Sequence, residues 1–448
     1  MVGPCCAGGT TGSLAGADGS VWPWLAGAAY GVYHVPQAKL VFASLVLAIT
    51  IPYLALICAS PGQIHTTDAE RMYTSPIHTD PVPLPTLQDA DEVQLSVVVP
   101  MYNEKDRLPA MLDDALTWLE SIRNQNRSLC GELASDEGHT MANALSSPFK
   151  TYEIILVDDG SSDATYQVAM DYAKQKKLDA SAEIRITQLH TNRGKGAAVR
   201  HGVLHARGAF ILFADADGAT RFSDLRKLSS EMCRILTDKG HGIVVGSRAH
   251  LVRSDAVVKR SFLRNLLMRG FHLTLSVLMR PPNVRALGDK LLNGWVPKSL
   301  HSAPKAKVEP LPIQPDIHDT QCGFKLFSRE TARVIFPLAH IDRWIFDVEL
   351  LLLAEMASRK SEADYILHRQ HHRPASPSQT KSQSSQKAAS DPLLHLALPI
   401  SEVAVQWTEI DGSKISLLRD SLRMGRDLVI IRLNYALARW ISPNSLYA

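Results

Sequence analysis

The segment FILFADADG, residues 210–218, decides the fold, because a buried strand and an acidic turn meet within it. Its first five residues are all apolar, and so short an apolar run predicts a strand in the interior of a sheet. Asp215 and Asp217 follow at once, and Gly218 then marks a turn. In open α/β sheets ligands gather at the carboxyl ends of the strands, so the segment predicts a polar site at the sheet edge.

Further apolar runs flank this segment on both sides, and helical stretches separate most of them. Strands that alternate with helices predict an α/β domain with a mostly parallel central sheet. The predicted strands cover residues 95–100, 153–157, 184–190, 210–214 and 243–246, and the predicted helices cover 107–123, 164–177 and 195–207.

The overall composition excludes some classes of protein. The chain has 448 residues, of which 45% are hydrophobic, enough for one large domain or two ordinary ones. With 48 basic and 45 acidic residues the net charge is only +3, so we expect no nucleic-acid binding. The six cysteines are scattered without metal-ligand spacing, and we expect reduced thiols.

The region before the first strand divides into three parts. Residues 1–39 form an N-terminal segment, and residues 40–59 are a mostly apolar run about long enough to cross the hydrocarbon core of a bilayer. We interpret this run as a transmembrane helix rather than a buried helix of a soluble domain or a cleaved signal peptide. Residues 60–92 are polar and rich in proline, which predicts a linker, and the main domain covers residues 93–448.

Three polar stretches have the composition of insertions, at about residues 124–147, 281–315 and 374–390. The last is rich in Ser, Gln and Lys, and we expect it to be disordered. Residues 414–440 instead form an amphipathic run that carries five arginines. Such a run is typical of a membrane-surface helix or of an ordinary surface helix, and both interpretations stay open.

Polar side chains follow three of the predicted strands. The first strand ends at Pro100 and is followed by Tyr102 and Glu104, and the second is followed by Asp158. Together with the two aspartates after the fourth strand, these carboxylates place several negative charges at one edge of the sheet. That arrangement costs free energy unless a positive charge neutralises it. Two hard oxygen ligands in a tight turn suit Mg²⁺ or Mn²⁺, which proteins hold through one or two carboxylates and substrate phosphates.

Basic residues near these strand ends are candidates for binding an anion. Lys195 lies in the turn RGKG, residues 193–196, at the start of a predicted helix, where an anion is favoured. A plain tight turn explains the two glycines equally well. Arg260 and Arg264 fall on one face of a basic amphipathic helix, for which we favour contact with an anionic lipid head.

Taken together, the motifs resemble those of the dolichyl-phosphate β-glucosyltransferases, inverting enzymes of glycosyltransferase family 2. The broad family is indicated by VVVPMYNEKDRLP (97–109), IILVDDGSSDAT (154–165), NRGKGAAVRHG (192–202) and FADADGATRFSDL (213–225). The later blocks DTQCGFKLFSR (319–329) and VAVQWTEIDGSKI (403–415) are more specific, and VGSRAHL (245–251) and DRWIFDVELL (342–351) also match. The likeness covers nearly all of the chain from residue 95, apart from the insertions.

The resemblance implies a GT-A, Rossmann-like fold and an N-terminal membrane segment, with UDP-glucose as donor and dolichyl phosphate as acceptor. The product would be dolichyl β-D-glucosyl phosphate, made at the endoplasmic reticulum membrane by a domain that faces the cytosol, for assembly of the N-glycan precursor. A divalent metal, Mg²⁺ or Mn²⁺, would take part.

The resemblance also implies roles for individual residues. Because a phosphate monoester is already anionic, strong general-base activation is not obligatory. Asp319 is the first candidate for a weak base or a ligand of the glucose hydroxyls, ahead of Asp347 and Glu349. The nucleotide pocket would be lined by Pro100, Tyr102, Glu104 and Asp158, and Lys195 would lie near the nucleotide. The donor would be held through the metal by Asp215 and Asp217. A phosphate would be met by Arg248, Arg260, Arg264 and Lys325.

Two other functions are compatible with the fold. A dolichyl-phosphate mannosyltransferase would use GDP-mannose with the same acceptor, although the two late blocks argue against it. A non-catalytic membrane scaffold would show degraded carboxylates, whereas Asp215 and Asp217 are intact. The sequon at Asn126 gives a topology prediction, since a domain that faces the cytosol leaves it unglycosylated.

Overall fold

The structure is a computed structural model. It describes residues 44–62 apart from 45 and 49, and then 66–78, 80–129, 147–253, 317–371, 398–410, 417–441 and 443. The chain divides into two units, residues 1–60 and 61–448. In the first unit, residues 50–59 are helical.

No helix within these residues combines the length and the apolar character needed to cross a membrane. The predicted span at 40–59 lies partly outside them, because residues 40–43, 45 and 49 are not described.

The strands and helices of the second unit alternate along the chain, as the pattern of apolar runs predicts. The described strands are β1 (Met72–Tyr73), β2 (Val82–Pro83), β3 (Val93–Met101), β4 (Tyr152–Asp158), β5 (Ala182–Gln188), β6 (Gly208–Ala214), β7 (Ile243–Ser247), β8 (Phe324–Ser328) and β9 (Ile400–Ala404). The described α-helices are α1 (Leu108–Asn124), α2 (Thr165–Gln175), α3 (Lys195–Leu204), α4 (Leu225–Ile235), α5 (Arg329–Ile335), α6 (Phe346–His371) and α7 (Leu417–Ala436), with short 3₁₀ helices at Ala69–Arg71, Phe222–Asp224, Ala249–Arg253 and Phe336–Leu338.

Seven of these strands form one sheet in the order β5-β4-β3-β6-β8-β7-β9. The pairs β4–β5, β3–β4, β3–β6 and β7–β9 are parallel, whereas β8 runs antiparallel to both β6 and β7. The predicted mostly parallel sheet is therefore confirmed, and β8 and β9 are additions that the sequence did not predict.

The central strands are mostly apolar because helices cover both faces of the sheet. Val97 and Val99 belong to the core cluster that includes α1, whereas Val98 between them packs against α3 on the other face. A Cβ atom on Gly202 of α3 would lie 2.4 Å from Val98 Cγ1. The close approach of α3 to β3 therefore requires glycine at this position.

The sequence predicts a linker at residues 60–92, but the described residues from 66 onward pack against the rest of the second unit. Glu70 is buried and accepts two hydrogen bonds from the Arg193 guanidinium, each 2.8 Å long. The guanidinium of Arg329 donates to the backbone carbonyls of Thr86 and Asp89. These contacts join residues more than 100 positions apart, so the local composition of the segment could not reveal them.

Several sequence-based expectations fall on residues outside the described ranges. Residues 254–316 and 372–397, which contain two of the predicted insertions, lie outside the described ranges. Residues 130–146, which make up most of the third insertion, lie outside them as well. Among the described cysteines, Cys58 and Cys322 are free, as expected. Cys233 is disulfide-bonded, which corrects the expectation of reduced thiols for this residue.

Candidate active site

The three polar strand ends predicted from the sequence lie next to one another. Strand β3 is flanked by β4 and β6, and all three run in the same direction. Their carboxyl ends therefore form one edge, at which Met101 pairs with Asp158 and Val98 pairs with Phe213. We call this edge the catalytic edge, because the candidate residues gather there.

Asp215, directly after β6, is held from two sides. The Lys195 ammonium lies 2.5 Å from Asp215 Oδ1. On the other side, the backbone N–H of Asp215 donates to the carbonyl of Gly323 over 3.1 Å. A Cβ atom on Gly323 would lie 1.9 Å from Asp215 Oδ2, so only glycine leaves room for this carboxylate. The block 319–329 therefore positions Asp215, which the sequence alone does not indicate.

The turn after Asp215 presents the second carboxylate. Gly218 has a φ of +71°, a conformation that glycine adopts readily, and Asp217 Oδ1 accepts a hydrogen bond from the backbone N–H of Ala219. Asp217 is partly exposed. No group of three or more His, Cys, Asp and Glu side chains suited to a metal ion occurs within the described residues. Mg²⁺ or Mn²⁺ bound together with a diphosphate needs only one or two carboxylates, and Asp215 and Asp217 fit that donor set.

Lys195 lies among negative charges. Burial by itself lowers the pKa of Lys195, but the nearby carboxylates of Asp215 and Asp347 outweigh it and hold the pKa above its ordinary value. The ammonium also lies 5.3 Å from the centre of the Phe213 ring. Lys195 is therefore a fixed positive charge at the catalytic edge, at the start of α3.

The loop that carries Lys195 is fixed by its neighbours. Asp159 is buried, and its two oxygens accept from the backbone N–H groups of Arg193 and Gly194, each over 2.8 Å. Burial raises the pKa of Asp159 to about 6. The glycines of the loop admit another segment, since Cβ atoms on Gly194 and Gly196 would meet residues 341–346 at 2.6 Å. Close packing against that segment thus accounts for both glycines.

Two of the residues expected to line the nucleotide pocket are engaged with the protein itself. Asp158 is fully buried, and its oxygens accept from Ser161 Oγ at 2.5 Å and from Gln188 Nε2 at 2.8 Å. Glu104 is also buried and accepts two 2.7 Å hydrogen bonds from the guanidinium of Arg107. Both carboxylates lie at the catalytic edge but serve as internal acceptors in this structure.

The rim of the predicted pocket is more accessible. Pro100 and Tyr102 are both partly exposed, at the end of β3 and directly after it. Between Tyr102 and Glu104, Asn103 has a φ of +53°, and its side-chain oxygen accepts from the backbone N–H of Ser162. Asn103 therefore ties the end of β3 to the turn after β4. The residue type at position 103 could have indicated this role, because asparagine tolerates the left-handed backbone conformation and its side chain often caps turns.

Arg248 and Asp319 form a tight pair across the end of β7. Arg248 Nε and Nη2 donate to the two oxygens of Asp319 over 2.7 and 2.9 Å, and the backbone N–H of Arg248 donates as well. Burial by itself raises the pKa of Asp319, but Arg248 reverses that effect and holds the pKa below its ordinary value. A carboxylate that is this hard to protonate is a poor general base. The structure thus favours positioning of Arg248 as the role of Asp319.

The described part of the late block, residues 403–410, contacts the same edge. The Arg248 guanidinium lies 5.6 Å from the centre of the Trp407 ring, a cation–π contact. Trp407 in turn forms a β-bridge with Thr220, just after the acidic turn, and the N–H of Thr408 donates to the carbonyl of Ala219 over 2.8 Å. Both specific late blocks therefore contact residues at or beside the aspartate turn.

Lys325 lies beneath the edge, not on its surface. It is buried, and its ammonium donates to the Asp347 carboxylate and to the carbonyl of Cys322, each over 2.6 Å. Burial raises the pKa of Asp347 in spite of Lys325 and Lys195. This position does not agree with the expected role of Lys325 in binding the acceptor phosphate, because its charge is already paired in the interior.

The remaining predicted residues divide into two groups. Glu349 is fully buried, and it accepts hydrogen bonds from the backbone N–H groups of His340 and Ile341, so it holds a loop and is not available to a sugar. Arg260 and Arg264 lie outside the described residues.

Sequence comparisons place the chain among known proteins. The family model for glycosyl transferase family 2 matches residues 96–265. The dolichyl-phosphate beta-glucosyltransferase of Drosophila melanogaster is 37% identical over 404 residues, which cover 90% of this chain and 91% of that protein. The enzyme of the same name from Dictyostelium discoideum is 38% identical over 350 residues, 78% of this chain and 77% of its own.

A comparison of structures gives a weaker likeness. Glucosyl-3-phosphoglycerate synthase from Mycobacterium tuberculosis is 15% identical, with a TM-score of 0.38 and coverage of 76% of this chain and 79% of the other. A TM-score this low supports no argument about the site. The family match and the observed strand order nevertheless confirm the predicted GT-A architecture with its mostly parallel sheet.

Proposed function

The chain belongs to the dolichyl-phosphate beta-glucosyltransferase family, and on that premise we propose that it transfers glucose from UDP-glucose to dolichyl phosphate. The bond between the anomeric carbon and the β-phosphate oxygen of UDP breaks, and a bond to an oxygen of the acceptor phosphate forms. A single displacement inverts the α-linked glucose of the donor. The products are dolichyl β-D-glucosyl phosphate, a donor for assembly of the N-glycan precursor, and UDP.

The position of Asp215 is the observation that carries this proposal. The carboxylate lies between Lys195, 2.5 Å away, and Gly323, where a Cβ atom would overlap it. The first contact belongs to a motif shared broadly among family 2 transferases. The second belongs to the block that distinguishes the glucosyltransferases, so the two motifs meet on one side chain.

In the proposed reaction, the main task of the protein is to stabilise the negative charge of the departing UDP. Lys195 is a fixed cation at the catalytic edge and would face the diphosphate. Asp215 and Asp217 would hold Mg²⁺ or Mn²⁺, which when bound supplies Lewis-acid neutralisation of the diphosphate oxygens. Pro100 and Tyr102 at the rim of the edge would then line the nucleotide pocket.

The acceptor phosphate needs orientation more than deprotonation, because it is anionic at neutral pH. Arg248 is suited to bind it, since Nε and Nη2 are fixed by Asp319 while Nη1 takes no part in that pair. An arginine held in this way is pre-organised for a phosphate. Asp319 would accordingly act through Arg248 as a positioning residue.

We also propose that the enzyme works at the endoplasmic reticulum membrane with its catalytic domain in the cytosol. Two features support this location: the family's acceptor is a membrane lipid, and residues 40–59 have the composition of an anchor. Asn126 is exposed, so its sequon would be modified if the domain faced the lumen. A glycosidase-sensitive mass shift at Asn126 would contradict the proposed orientation.

A transfer assay with two donors tests the proposed activity. Purified protein is incubated with dolichyl phosphate and either UDP-glucose or GDP-mannose, with Mg²⁺, with Mn²⁺ or with EDTA. We expect glucosyl lipid from UDP-glucose, little mannosyl lipid, and loss of product with EDTA. Efficient transfer from GDP-mannose and none from UDP-glucose would show that the chain is instead a mannosyltransferase.

A further inference from the structure

The C-terminal helix α7 exposes a row of large apolar side chains. Leu422, Val429 and Leu433 of α7, and Leu437 directly after it, are 41–68% exposed, although large aliphatic side chains at regular spacing are normally buried. They are separated by seven, four and four residues, so they lie along one side of the helix and of the turn that continues it, with Gly425 and the exposed Arg426 between Leu422 and Val429. We call these four residues the apolar stripe. Ile441, just beyond the helix, is also exposed.

The opposite side of α7 is firmly attached to the domain. Leu428, Ile431 and Asn434 are completely buried. Tyr435 Oη donates to Glu349 over 2.9 Å. Trp440 stacks on the ring of His340 with the ring centres 4.2 Å apart. The helix therefore has its own packing side, and the apolar stripe is an additional surface that this packing leaves exposed.

The charges beside the stripe are of one sign. The two acidic residues of α7, Asp420 and Asp427, are buried. Of the arginines near them, Arg419 and Arg426 are exposed and Arg423 is partly exposed. Asp427 accepts from Arg426, but the guanidinium itself remains at the surface. The exposed side of α7 thus presents aliphatic side chains together with arginines and no exposed acid.

A phospholipid surface fits this combination better than a second copy of the chain. Self-association along the stripe would bring the arginines into an apolar interface with no exposed acid from α7 to pair with them. An amphipathic helix with basic residues beside its apolar side is instead suited to lie in the headgroup region of an anionic bilayer. We propose that the apolar stripe of α7 lies in the surface of an anionic membrane.

This inference rests on the proposed function, because an enzyme whose acceptor is a membrane lipid must present its site to the bilayer. The structure links the helix to the site through hydrogen bonds. Glu349, which accepts from Tyr435 of α7, also accepts from the N–H of Ile341. The carbonyl of the next residue, Asp342, accepts from the N–H of Ala197, two residues after Lys195. Membrane contact by α7 would thereby orient the catalytic edge toward the lipid phosphate.

Photocrosslinking with the full chain tests the contact directly. The photoreactive residue p-benzoylphenylalanine is introduced at Leu433, and as a control at Lys177, an exposed position just after α2. Each protein is reconstituted into phosphatidylcholine vesicles with and without phosphatidylserine and then irradiated. We expect lipid adducts at Leu433, more of them with phosphatidylserine, and none at Lys177. A protein–protein adduct at Leu433, or no lipid adduct there, would overturn the proposal.

A second measurement asks whether the contact matters for catalysis. Leu433→Glu should lower kcat/KM for dolichyl phosphate in vesicles by about tenfold or more, because a charge replaces an inserted side chain. The same variant should keep its rate with a short, water-soluble prenyl phosphate. An equal loss with both acceptors would argue against a membrane role. Since crosslinking requires no glucose transfer, failure of this inference can be distinguished from failure of the proposed function.

Discussion

Replacement of Gly323 by alanine is the most informative single change at the catalytic edge. The added Cβ atom would lie 1.9 Å from Asp215 Oδ2 and 2.3 Å from Asp215 Cγ. The backbone carbonyl of residue 323 also accepts a hydrogen bond from the N–H of Asp215. The two residues are therefore held together, and the backbone at position 323 cannot simply move away. The Asp215 side chain must therefore yield.

The size of the displacement follows from the contact distance. To bring the 1.9 Å contact to the 3.0 Å at which real Cβ contacts begin, the carboxylate must move by at least 1.1 Å. A misplacement of about 1 Å in a catalytic group costs roughly 100-fold in rate. That loss corresponds to about 2.7 kcal/mol of activation free energy. The contact with Lys195 would be altered at the same time.

The assay compares Gly323→Ala with Gly425→Ala, because a Cβ atom on Gly425 in α7 meets nothing within 4 Å. Glucose transfer from UDP-glucose is measured together with the thermal midpoint of each variant. We expect Gly323→Ala to lose about 100-fold in kcat/KM while it remains folded, and Gly425→Ala to keep wild-type activity. Activity of folded Gly323→Ala within a factor of about two of wild type would refute the argument, since it would mean that Asp215 need not stay in place.

Three further predictions concern the groups around Asp215. Lys195→Met should raise KM for UDP-glucose by about tenfold or more, because a charge-assisted contact worth about 1.5–3 kcal/mol is lost, and Lys195→Arg should restore part of it; an unchanged KM in both would contradict a donor contact. Arg248→Lys keeps the charge but loses the bidentate pair with Asp319, so kcat/KM for dolichyl phosphate should fall about tenfold with little change in KM for UDP-glucose; a defect only in donor binding would move Arg248 to the nucleotide side. Asp159 has a folded pKa of about 6 against an ordinary 3.8, so it binds more protons when folded, and its contribution to stability is complete below about pH 4 and lost as the pH rises through 6. The free energy of unfolding in urea should accordingly fall for the wild type by up to a few kcal/mol between about pH 4 and 6, and Asp159→Asn should lack this fall. Parallel curves of unfolding free energy against pH for the two proteins would show that the folded pKa of Asp159 is not raised.

The strands of the parallel part of the sheet could be predicted because each is a short apolar run bounded by polar turns. β3 and β6 are examples, since their composition reflects burial on both faces. β8 and β9 were not predicted. β8 is preceded by the long insertion at 281–315 and runs antiparallel to its neighbours, so the alternation of strands and helices gives no indication of it.

The candidate site shows the same division between local and long-range information. The residue types at the strand ends could be recognised from local sequence. Their partners could not, because Arg248 pairs with a residue 71 positions away and Gly323 is more than 100 positions from Asp215. The sequence therefore suggested Asp319 as a base and Lys325 as a phosphate ligand, although Asp319 is paired with Arg248 and Lys325 is buried beneath the edge.

The segment 66–92 illustrates a third limit. Its prolines and polar residues are typical of a linker, yet Leu84 and Leu87 are buried and the Arg193 guanidinium binds Glu70. Irregular segments can be fixed by side chains from distant elements, and composition carries no information about such partners.

Asp215 at the catalytic edge serves, in the proposed function, the transfer of glucose to a lipid phosphate. The most direct measurement is the formation of glucosyl lipid from radiolabelled UDP-glucose and dolichyl phosphate by purified wild-type and Asp215→Asn proteins, matched for thermal stability. We predict a β-linked glucosyl phosphate lipid from the wild type and a loss of at least about 100-fold in the variant. Glucosyl lipid formed at equal rates by both proteins, or an α-linked product from the wild type, would contradict this proposal.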